Sequence, residues 1–225
     1  MPVLYHVFVV ECTDSQITDI QLNEGGWTKL SLYNRASTSG RSPLEPNVEK
    51  TDRYGLAPFF REIQHQHAID KLTFVCIGTD RSSGDSLGPL VGTMLKEQGF
   101  PHVIGTMTEP CDADHLVSYL ECIPQDHHVI AIDACLGQHG STGMFLVARE
   151  PLTPARSVGL SLPSVGHYSV AAIVNERSPK PYWTLQMTSL HLVMTMAAYI
   201  ADAAACEFGL KTASQDFPAG YRFRY

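Results

Sequence analysis

The feature that most constrains the fold is a regular alternation of buried-strand and helix patterns that begins near residue 71. Apolar runs rich in β-forming residues occur at 72–78, 102–107, 127–134 and 144–148, and a further strand pattern at 165–175. Such runs are typical of strands that are covered on both faces. Helix patterns follow at 86–100, 112–123 and 184–209. The alternation predicts an α/β fold, with a mostly parallel sheet and helices on both faces.

The N-terminal part of the chain has a different character. Residues 34–53 are polar and contain two prolines, which predicts a linker. We therefore expect an N-terminal extension and linker at 1–54, with strands at 3–12 and 30–33, and an α/β domain at 55–225. The domain opens with a short amphipathic helix pattern, and the sequence assigns no role to the extension.

The composition of the chain excludes several classes of protein. Hydrophobic residues make up 44% of the chain, charged residues 17%, and the net charge is -7. A broad nucleic-acid surface is not expected, because phosphate binding needs clustered Lys and Arg. The longest apolar stretch, 192–201, is shorter than the ~20 residues that span a bilayer. The N-terminal residues lack the basic stretch of a secretion signal, so we expect a cytoplasmic protein with no membrane partner and reduced thiols at its six cysteines.

Two acidic residues fall where the chemistry of parallel sheets is found, beyond the carboxyl ends of the strands. Asp85 closes the loop after the first buried strand, and Asp133 ends the third. Two close carboxylates raise the pKa of one of them, so that one can act as a base while the other holds a proton. Such a pair could activate water for hydrolysis or bind a divalent metal.

The loop around Asp85 is open to other interpretations. It is not a phosphate-binding loop, since Asp85 stands where that motif needs Lys. Gly84-Asp-Ser86-Leu-Gly88 fits the Gly-x-Ser-x-Gly pattern of serine hydrolases, which keeps a serine esterase at Ser86 as an alternative. However, seven residues separate the predicted strand from Ser86, whereas that motif needs the strand to run directly into the serine. The sequence favours a helix N-cap for Ser86.

Two longer tracts carry a family resemblance. FVCIGTDRSSGDSLGPLVGTML and VIAIDACLG, within residues 72–206, resemble the sporulation proteins called YyaC, which are related to the spore germination protease. The resemblance implies a three-layer α/β/α sandwich of the hydrogenase-maturation-protease (HybD-like) type. Asp85 and Asp133 match the two aspartates that are thought to be catalytic in the germination protease. In the hydrogenase maturation proteases the equivalent acids bind nickel.

The resemblance implies a spore-associated peptidase in which Asp85 and Asp133 activate water. Its cleft would be shaped by Gly78, Asp80, Arg81, Gly84, Ser86, His139 and His167. The substrate would be a protein or peptide, such as small acid-soluble spore proteins, in the cytoplasm of a sporulating cell or forespore. The chain could form a homo-oligomer. The alternative is a non-catalytic peptide- or metal-binding sporulation protein on the same fold.

A peptidase of this kind sets geometric expectations for the aspartate pair. One water shared by two carboxylates requires the groups to lie within roughly 6–7 Å of each other. Both side chains should be partly open to solvent, and their proximity should raise at least one pKa.

Overall fold

A seven-stranded sheet forms the centre of the computed structural model, which describes residues 10–11, 48–154 and 162–210. The strands in this part of the chain are β1 (Val10–Glu11), β2 (Val48–Thr51), β3 (Leu72–Cys76), β4 (Val103–Ile104), β5 (His128–Gly137), β6 (Phe145–Ala148) and β7 (Tyr168–Glu176). The α-helices are α1 (Leu56–Gln66), α2 (Leu87–Glu97), α3 (Leu116–Glu121), α4 (Pro181–Gln186) and α5 (Leu190–Glu207).

The sheet has the order β2-β6-β7-β5-β3-β4, and β1 lies beside the C-terminal part of β5. The pairings of β4 with β3, β3 with β5, β5 with β7 and β1 with β5 are parallel. The pairings of β6 with β7 and β2 with β6 are antiparallel. The predicted α/β fold with a mostly parallel sheet is confirmed, and the carboxyl ends of β3, β5 and β7 meet at one edge.

Helices cover both faces of this sheet. Alternate residues of a strand point to opposite faces. Ile130 and Ile132 of β5 pack in the core formed with α1, α2 and α5, whereas Ala131 and Cys135 pack in a second, smaller core with α3. The result is three layers, with the thicker helical layer on one side.

Helix α2 lies unusually close to the sheet because it carries two glycines one turn apart. A Cβ atom on Gly88 would overlap the carbonyl oxygen of Ile77, and one on Gly92 would overlap the carbonyl oxygen of Gly105. The missing side chains let the helix backbone rest on the strand ends. This contact fixes the start of α2, and with it the loop that carries Asp85.

Two local predictions differ from the structure. The helix predicted over 184–209 is two helices, α4 and α5, because Ser189 has an extended backbone and its hydroxyl accepts the N–H of Leu192 as the N-cap of α5. The helix predicted from residue 112 begins at Leu116. In the turn before it, the carboxylate of Asp112 accepts the backbone N–H groups of Asp114 and His115.

The N-terminal extension is described only in part. Chain contacts divide the protein into one unit of Met1–Cys12 with Asn47–Tyr225 and a second of Thr13–Pro46, and all described residues belong to the first. The strand predicted at 30–33 and most of the predicted linker lie outside the described residues. The boundary after residue 54 stays a prediction, but β1 and β2 both precede it and both pair with the sheet. Within the described residues, no helix is long and apolar enough to cross a membrane.

The close approach of α2 makes a prediction for Gly92→Ala. In an isolated helix this change stabilises, because alanine has the higher helix propensity. Here the new methyl group meets the backbone of Gly105, so we expect the free energy of unfolding to fall by about 1–3 kcal/mol, as in an overpacked core. Urea denaturation monitored by circular dichroism measures it. Lys96→Ala, at an exposed position of the same helix, is the control, and a gain of stability in Gly92→Ala would contradict the packing described.

Candidate active site

The loop between β3 and α2 holds Asp85 in place through its own backbone. After β3 ends, Gly78 adopts φ 142°, a conformation that L side chains rarely take, and its N–H donates to the carbonyl of Cys111. The N–H of Thr79 then donates to the carbonyl of Asp85 at 3.2 Å, which closes the loop. A Cβ atom on Gly78 would overlap that same carbonyl oxygen. Asp85 therefore lies just before α2 and is fully buried.

Asp133 lies inside β5 and not at its end, which corrects the sequence prediction. The strand continues to Gly137, and Asp133 pairs with Ala171 of β7. Its side chain is fully buried on the face that packs against α3. One carboxylate oxygen, Oδ1, accepts the N–H of Ala134 at 2.7 Å. Among the described residues, Oδ2 has no hydrogen-bond partner.

The two aspartates influence each other electrostatically. Burial raises the pKa of Asp133 well above its ordinary value, and the negative charge of Asp85 raises it further. The N–H of Ala134 acts in the opposite direction, since it stabilises the charged form. Burial raises the pKa of the nearby Cys111 thiol to about 12, with smaller contributions from Asp112 and Asp133. The pair therefore has the property expected of two interacting acids, in which the pKa of one is raised by burial and by the charge of the other.

The expected solvent access to the pair is wrong, because both carboxylates are fully buried. The segment between α4 and α5 packs against the Asp85 loop. The N–H of Gly84 donates to the carbonyl of Leu185, and the hydroxyl of Ser83 donates to the carbonyls of Gln186 and Thr188 at 3.0 and 2.7 Å. We call Leu185–Thr188 the covering segment. A Cβ atom on Gly84 would lie 2.7 Å from the Leu185 carbonyl oxygen, so glycine allows this close contact.

Ser86 lies beside Asp85 but is not arranged as a nucleophile. Its hydroxyl donates to the carbonyl of Ser83 at 2.7 Å. In the described part of the chain no histidine is hydrogen-bonded to it. Ser86 occupies the N-cap position of α2, as the sequence predicts, but its side chain makes no capping hydrogen bond.

Three further candidates make local contacts of their own. Asp80 accepts a long hydrogen bond of 3.5 Å from the hydroxyl of Thr79. Arg81 is exposed, with its guanidinium 3.6 Å from the carboxylate of Asp112. His139 follows β5 in an exposed loop, and its Nδ1 lies 2.9 Å from a carboxylate oxygen of Glu176. The hydrogen bond with Glu176 raises the pKa of His139.

His167 is not brought to the aspartates. Its backbone N–H donates to the carbonyl of Val129, and its Nδ1 accepts the N–H of the same residue. Asp133 lies four residues further along β5, about 13 Å away at the usual rise of a strand. His167 belongs to a histidine cluster at the opposite end of the sheet, where its ring lies 5.1 Å from that of His128, which stacks on His67 at 3.7 Å.

The metal interpretation of the aspartate pair does not fit the side chains present. In residues 48–154 and 162–210, no three or more His, Cys, Asp or Glu side chains are grouped so that they could hold a metal ion. The two carboxylates therefore lack a third protein ligand from the described residues.

The covering segment is the part of the site that sequence reasoning missed. Its contacts are backbone carbonyls of Leu185, Gln186 and Thr188, which leave no signature in the side-chain pattern. The Ser-Gly pair at 83–84 is the one available signal, because a hydroxyl donor followed by a residue without Cβ suits close contact with another backbone.

Comparison with known proteins gives the following findings. Residues 48–203 match a family described as protein of unknown function (DUF1256). The uncharacterized protein YyaC of Bacillus subtilis (strain 168) is 44% identical over 136 residues, which cover 58% of this chain and 66% of that protein. The match thus spans just under two thirds of the relative, and it confirms the resemblance to YyaC. The crystal structure of the NiFe hydrogenase maturation protease HycI from Thermococcus kodakarensis KOD1 aligns with a TM-score of 0.37 and 17% identity, covering 60% of this chain and 92% of that chain.

The raised pKa of Asp133 predicts how stability depends on pH. The folded protein holds a proton on Asp133 that the unfolded chain releases near pH 4. Wild-type stability should therefore fall as pH rises above about 4, by up to about 1.4 kcal/mol per pH unit, until the folded pKa is reached. Asp133→Asn removes this loss, so we expect it to be more stable than the wild type at pH 8 and similar at pH 4. Urea denaturation across this range tests it.

The matched control for that series is Asp70→Asn, at an exposed aspartate. It should leave the pH dependence of the wild type unchanged. An Asp133→Asn protein that loses stability at pH 8 would mean that the ionised carboxylate is structural.

The histidine cluster predicts a loss of stability in acid. Burial, followed by the charge of His128, lowers the pKa of His167, and burial also lowers the pKa of His67. Because the folded protein resists protonation, its stability should fall as pH drops below about 6.5. His167→Asn offers a neutral oxygen to the N–H of Val129 and should reduce this slope. His65→Asn, at an exposed position of α1, is the control, and equal slopes in the two variants would contradict the prediction.

Proposed function

Since the chain belongs to the DUF1256 family, whose description names no activity, we propose a function from the site: a peptidase in which Asp85 and Asp133 activate water. The single observation that carries this proposal is that two fully buried carboxyl groups interact, since burial and the charge of Asp85 together raise the pKa of Asp133 well above its ordinary value. Burying even one ionisable acid is unfavourable. Because this burial is unfavourable, acids with strongly perturbed pKa values are found mostly at functional sites.

The roles of the two acids follow from their surroundings. Asp133 retains its proton and acts as the general acid, while Asp85 acts as the general base. Asp85 takes a proton from water as the water oxygen attacks the peptide carbonyl carbon, and Asp133 donates its proton to the carbonyl oxygen. When the tetrahedral intermediate collapses, the C–N bond breaks and the proton on Asp85 passes to the leaving nitrogen. One hydroxyl of the intermediate returns its proton to Asp133 as the product carboxyl group forms. Both carboxyl groups then return to their starting states.

Substrate entry requires the covering segment to move. Ser83 and Gly84 hold it with two donors: the N–H of Gly84 bonds to Leu185, and the single O–H of Ser83 is shared between the carbonyls of Thr188 and Gln186. Such bonds each contribute about 0.5–1.5 kcal/mol net, so opening the site is within reach of the binding energy of a polypeptide substrate. In the closed arrangement, exclusion of water strengthens the electrostatic coupling of the two acids.

The biological setting of the proposal rests on the resemblance to YyaC. We propose a protein or peptide substrate, with small acid-soluble spore proteins as the first to test, in the cytoplasm of a sporulating cell or forespore. Asp80, Arg81 and His139 would contact polar groups of that substrate. A homo-oligomer is compatible with this role and is not required by it.

The complete burial of both carboxylates favours a second candidate, a peptide-binding protein that keeps the site closed and does not hydrolyse. The hydrogen bond from Ser86 to the carbonyl of Ser83 gives no support to an esterase. A serine-directed fluorophosphonate distinguishes the esterase from the peptidase and from the peptide-binding protein, because it should label the esterase alone.

The decisive experiment is turnover of purified small acid-soluble spore proteins by the full chain. We expect Asp85→Asn and Asp133→Asn each to reduce hydrolysis by at least about 100-fold, the lower range for loss of a general acid or base, with folded circular dichroism spectra. Ser86→Ala and the exposed Asp70→Asn should keep wild-type turnover. Mass spectrometry of the products measures it.

Two outcomes would contradict the peptidase. Hydrolysis that survives in Asp85→Asn and Asp133→Asn would exclude the pair as catalytic groups. Binding of the spore proteins by the wild type without any cleavage would support the non-catalytic candidate.

A further inference from the structure

The edge of β5 next to Asp133 has the properties of a binding site for an extended polypeptide. We propose that the Ala134–Gly137 part of β5 binds such a polypeptide by strand addition, and that the chain's own Val10–Glu11 occupies the site in the structure. This proposal rests on the proposed function and states how the polypeptide substrate would bind. Its binding part does not depend on hydrolysis.

The site exists because β3 is shorter than β5. The two strands pair from Leu72 opposite His128 to Cys76 opposite Ile132. The N–H of Ile77 makes one more bond, to the carbonyl of Ile132 at 2.7 Å, and Gly78 then turns the chain towards Cys111. β5 continues to Gly137, and on its other side β7 accompanies it to that residue. Only the side vacated by β3 is left for another strand.

The backbone of β5 presents hydrogen-bonding groups to the vacated side. The carbonyl of Ile132 points there, since it accepts from Ile77. Backbone groups two residues apart in a strand point to the same side, so those of Ala134 and Leu136 do as well. The N–H of Ala134 also donates to the carboxylate of Asp133. The candidate acid is therefore directly adjacent to this edge.

The described part of the N-terminal segment already uses this edge. Val10 pairs with Cys135 and Glu11 with Leu136, in parallel orientation. In parallel pairing, the N–H of Val10 bonds to the carbonyl of Ala134, and the N–H of Leu136 bonds to the carbonyl of Val10. In this register, the polypeptide residue two positions before the one that pairs with Cys135 lies opposite Asp133. The two positions are about 7 Å apart along the strand. Its backbone would then run past the acid.

An extended polypeptide is the ligand that fits a strand edge, because its backbone offers donors and acceptors at the matching spacing. Affinity of this kind comes from the main chain and tolerates many sequences. The described part of the N-terminal segment pairs over two residues. A polypeptide that pairs along all of Ala134–Gly137 would make more backbone hydrogen bonds than these two residues do. Val10–Glu11 competes as an attached segment, with the advantage of a high effective concentration. The N-terminal segment would thus restrict access to the edge until a polypeptide of higher affinity arrives.

The test uses the full chain with Val10→Pro, which removes the N–H that faces Ala134, and Val10→Ala as the control that keeps it. Hydrogen exchange at the Leu136 amide reports the pairing. We expect exchange at least about tenfold faster in Val10→Pro than in Val10→Ala or the wild type, with the amide of Ile130 unchanged as the internal reference. Equal exchange at Leu136 in all three proteins would overturn the proposal.

A second measurement tests binding directly with added peptides. The probe is a labelled peptide with the sequence of residues 5–14, and its partner carries proline at the residue that matches Val10. Fluorescence polarisation should show binding of the first probe and at least tenfold weaker binding of the second, and Val10→Pro protein should bind the first probe more tightly than the wild type. Identical binding of the two probes would overturn the proposal.

These measurements test the strand-addition site separately from the proposed peptide hydrolysis. Binding is measured in the Asp133→Asn background, in which the probe is not expected to be cleaved. Probe binding together with a failure of all hydrolysis assays would support the strand-addition site and contradict the peptidase. Active hydrolysis with no probe binding would contradict the site and leave the aspartate mechanism standing.

Discussion

A carboxyl group buried inside a parallel sheet is the constraint on which the rest of this site depends. Asp133 is fully buried and accepts one hydrogen bond, from the N–H of the residue that follows it. A second carboxylate, Asp85, lies close enough to raise its pKa. Such an arrangement opposes folding when charged. It persists because the strands and helices around it are held by two apolar cores that do not depend on the acids. The loop geometry of Gly78 and the packing of α2 then keep the two acids together.

The fold was predictable because strands of a parallel sheet are covered on both sides and leave continuous apolar runs. The same local pattern hid the break between α4 and α5, since apolar residues continue through it and the break depends on the backbone of Ser189. Asp133 was expected at a strand end because an acid usually ends an apolar run. The position of β1 and of the covering segment could not be predicted, because both depend on backbone pairing between distant parts of the chain.

The candidate site, like the fold, was predictable only in part. Asp85 and Asp133 were predicted to interact, because parallel strands bring their carboxyl ends to one edge. His167 was placed with them by resemblance, yet the structure has it at the other end of β5. β5 thus carries Asp133 of the acid pair and, at its other end, His128 of the histidine cluster, and the two groups shift stability with pH in opposite directions. The folded protein should be most stable at intermediate pH.

The covering segment is held mainly through its backbone, and this has a consequence for how the sequence can change. A carbonyl oxygen is the same in every amino acid, so the hydrogen bonds from Ser83 and Gly84 do not require particular side chains at Gln186 or Met187. Met187 is among the most exposed apolar residues of the described chain, at 80%. Homologous proteins could therefore vary the outer surface of this segment freely while Ser83 and Gly84 stay fixed. The covering segment could therefore present different side chains to different partners without any change to the loop that holds Asp85.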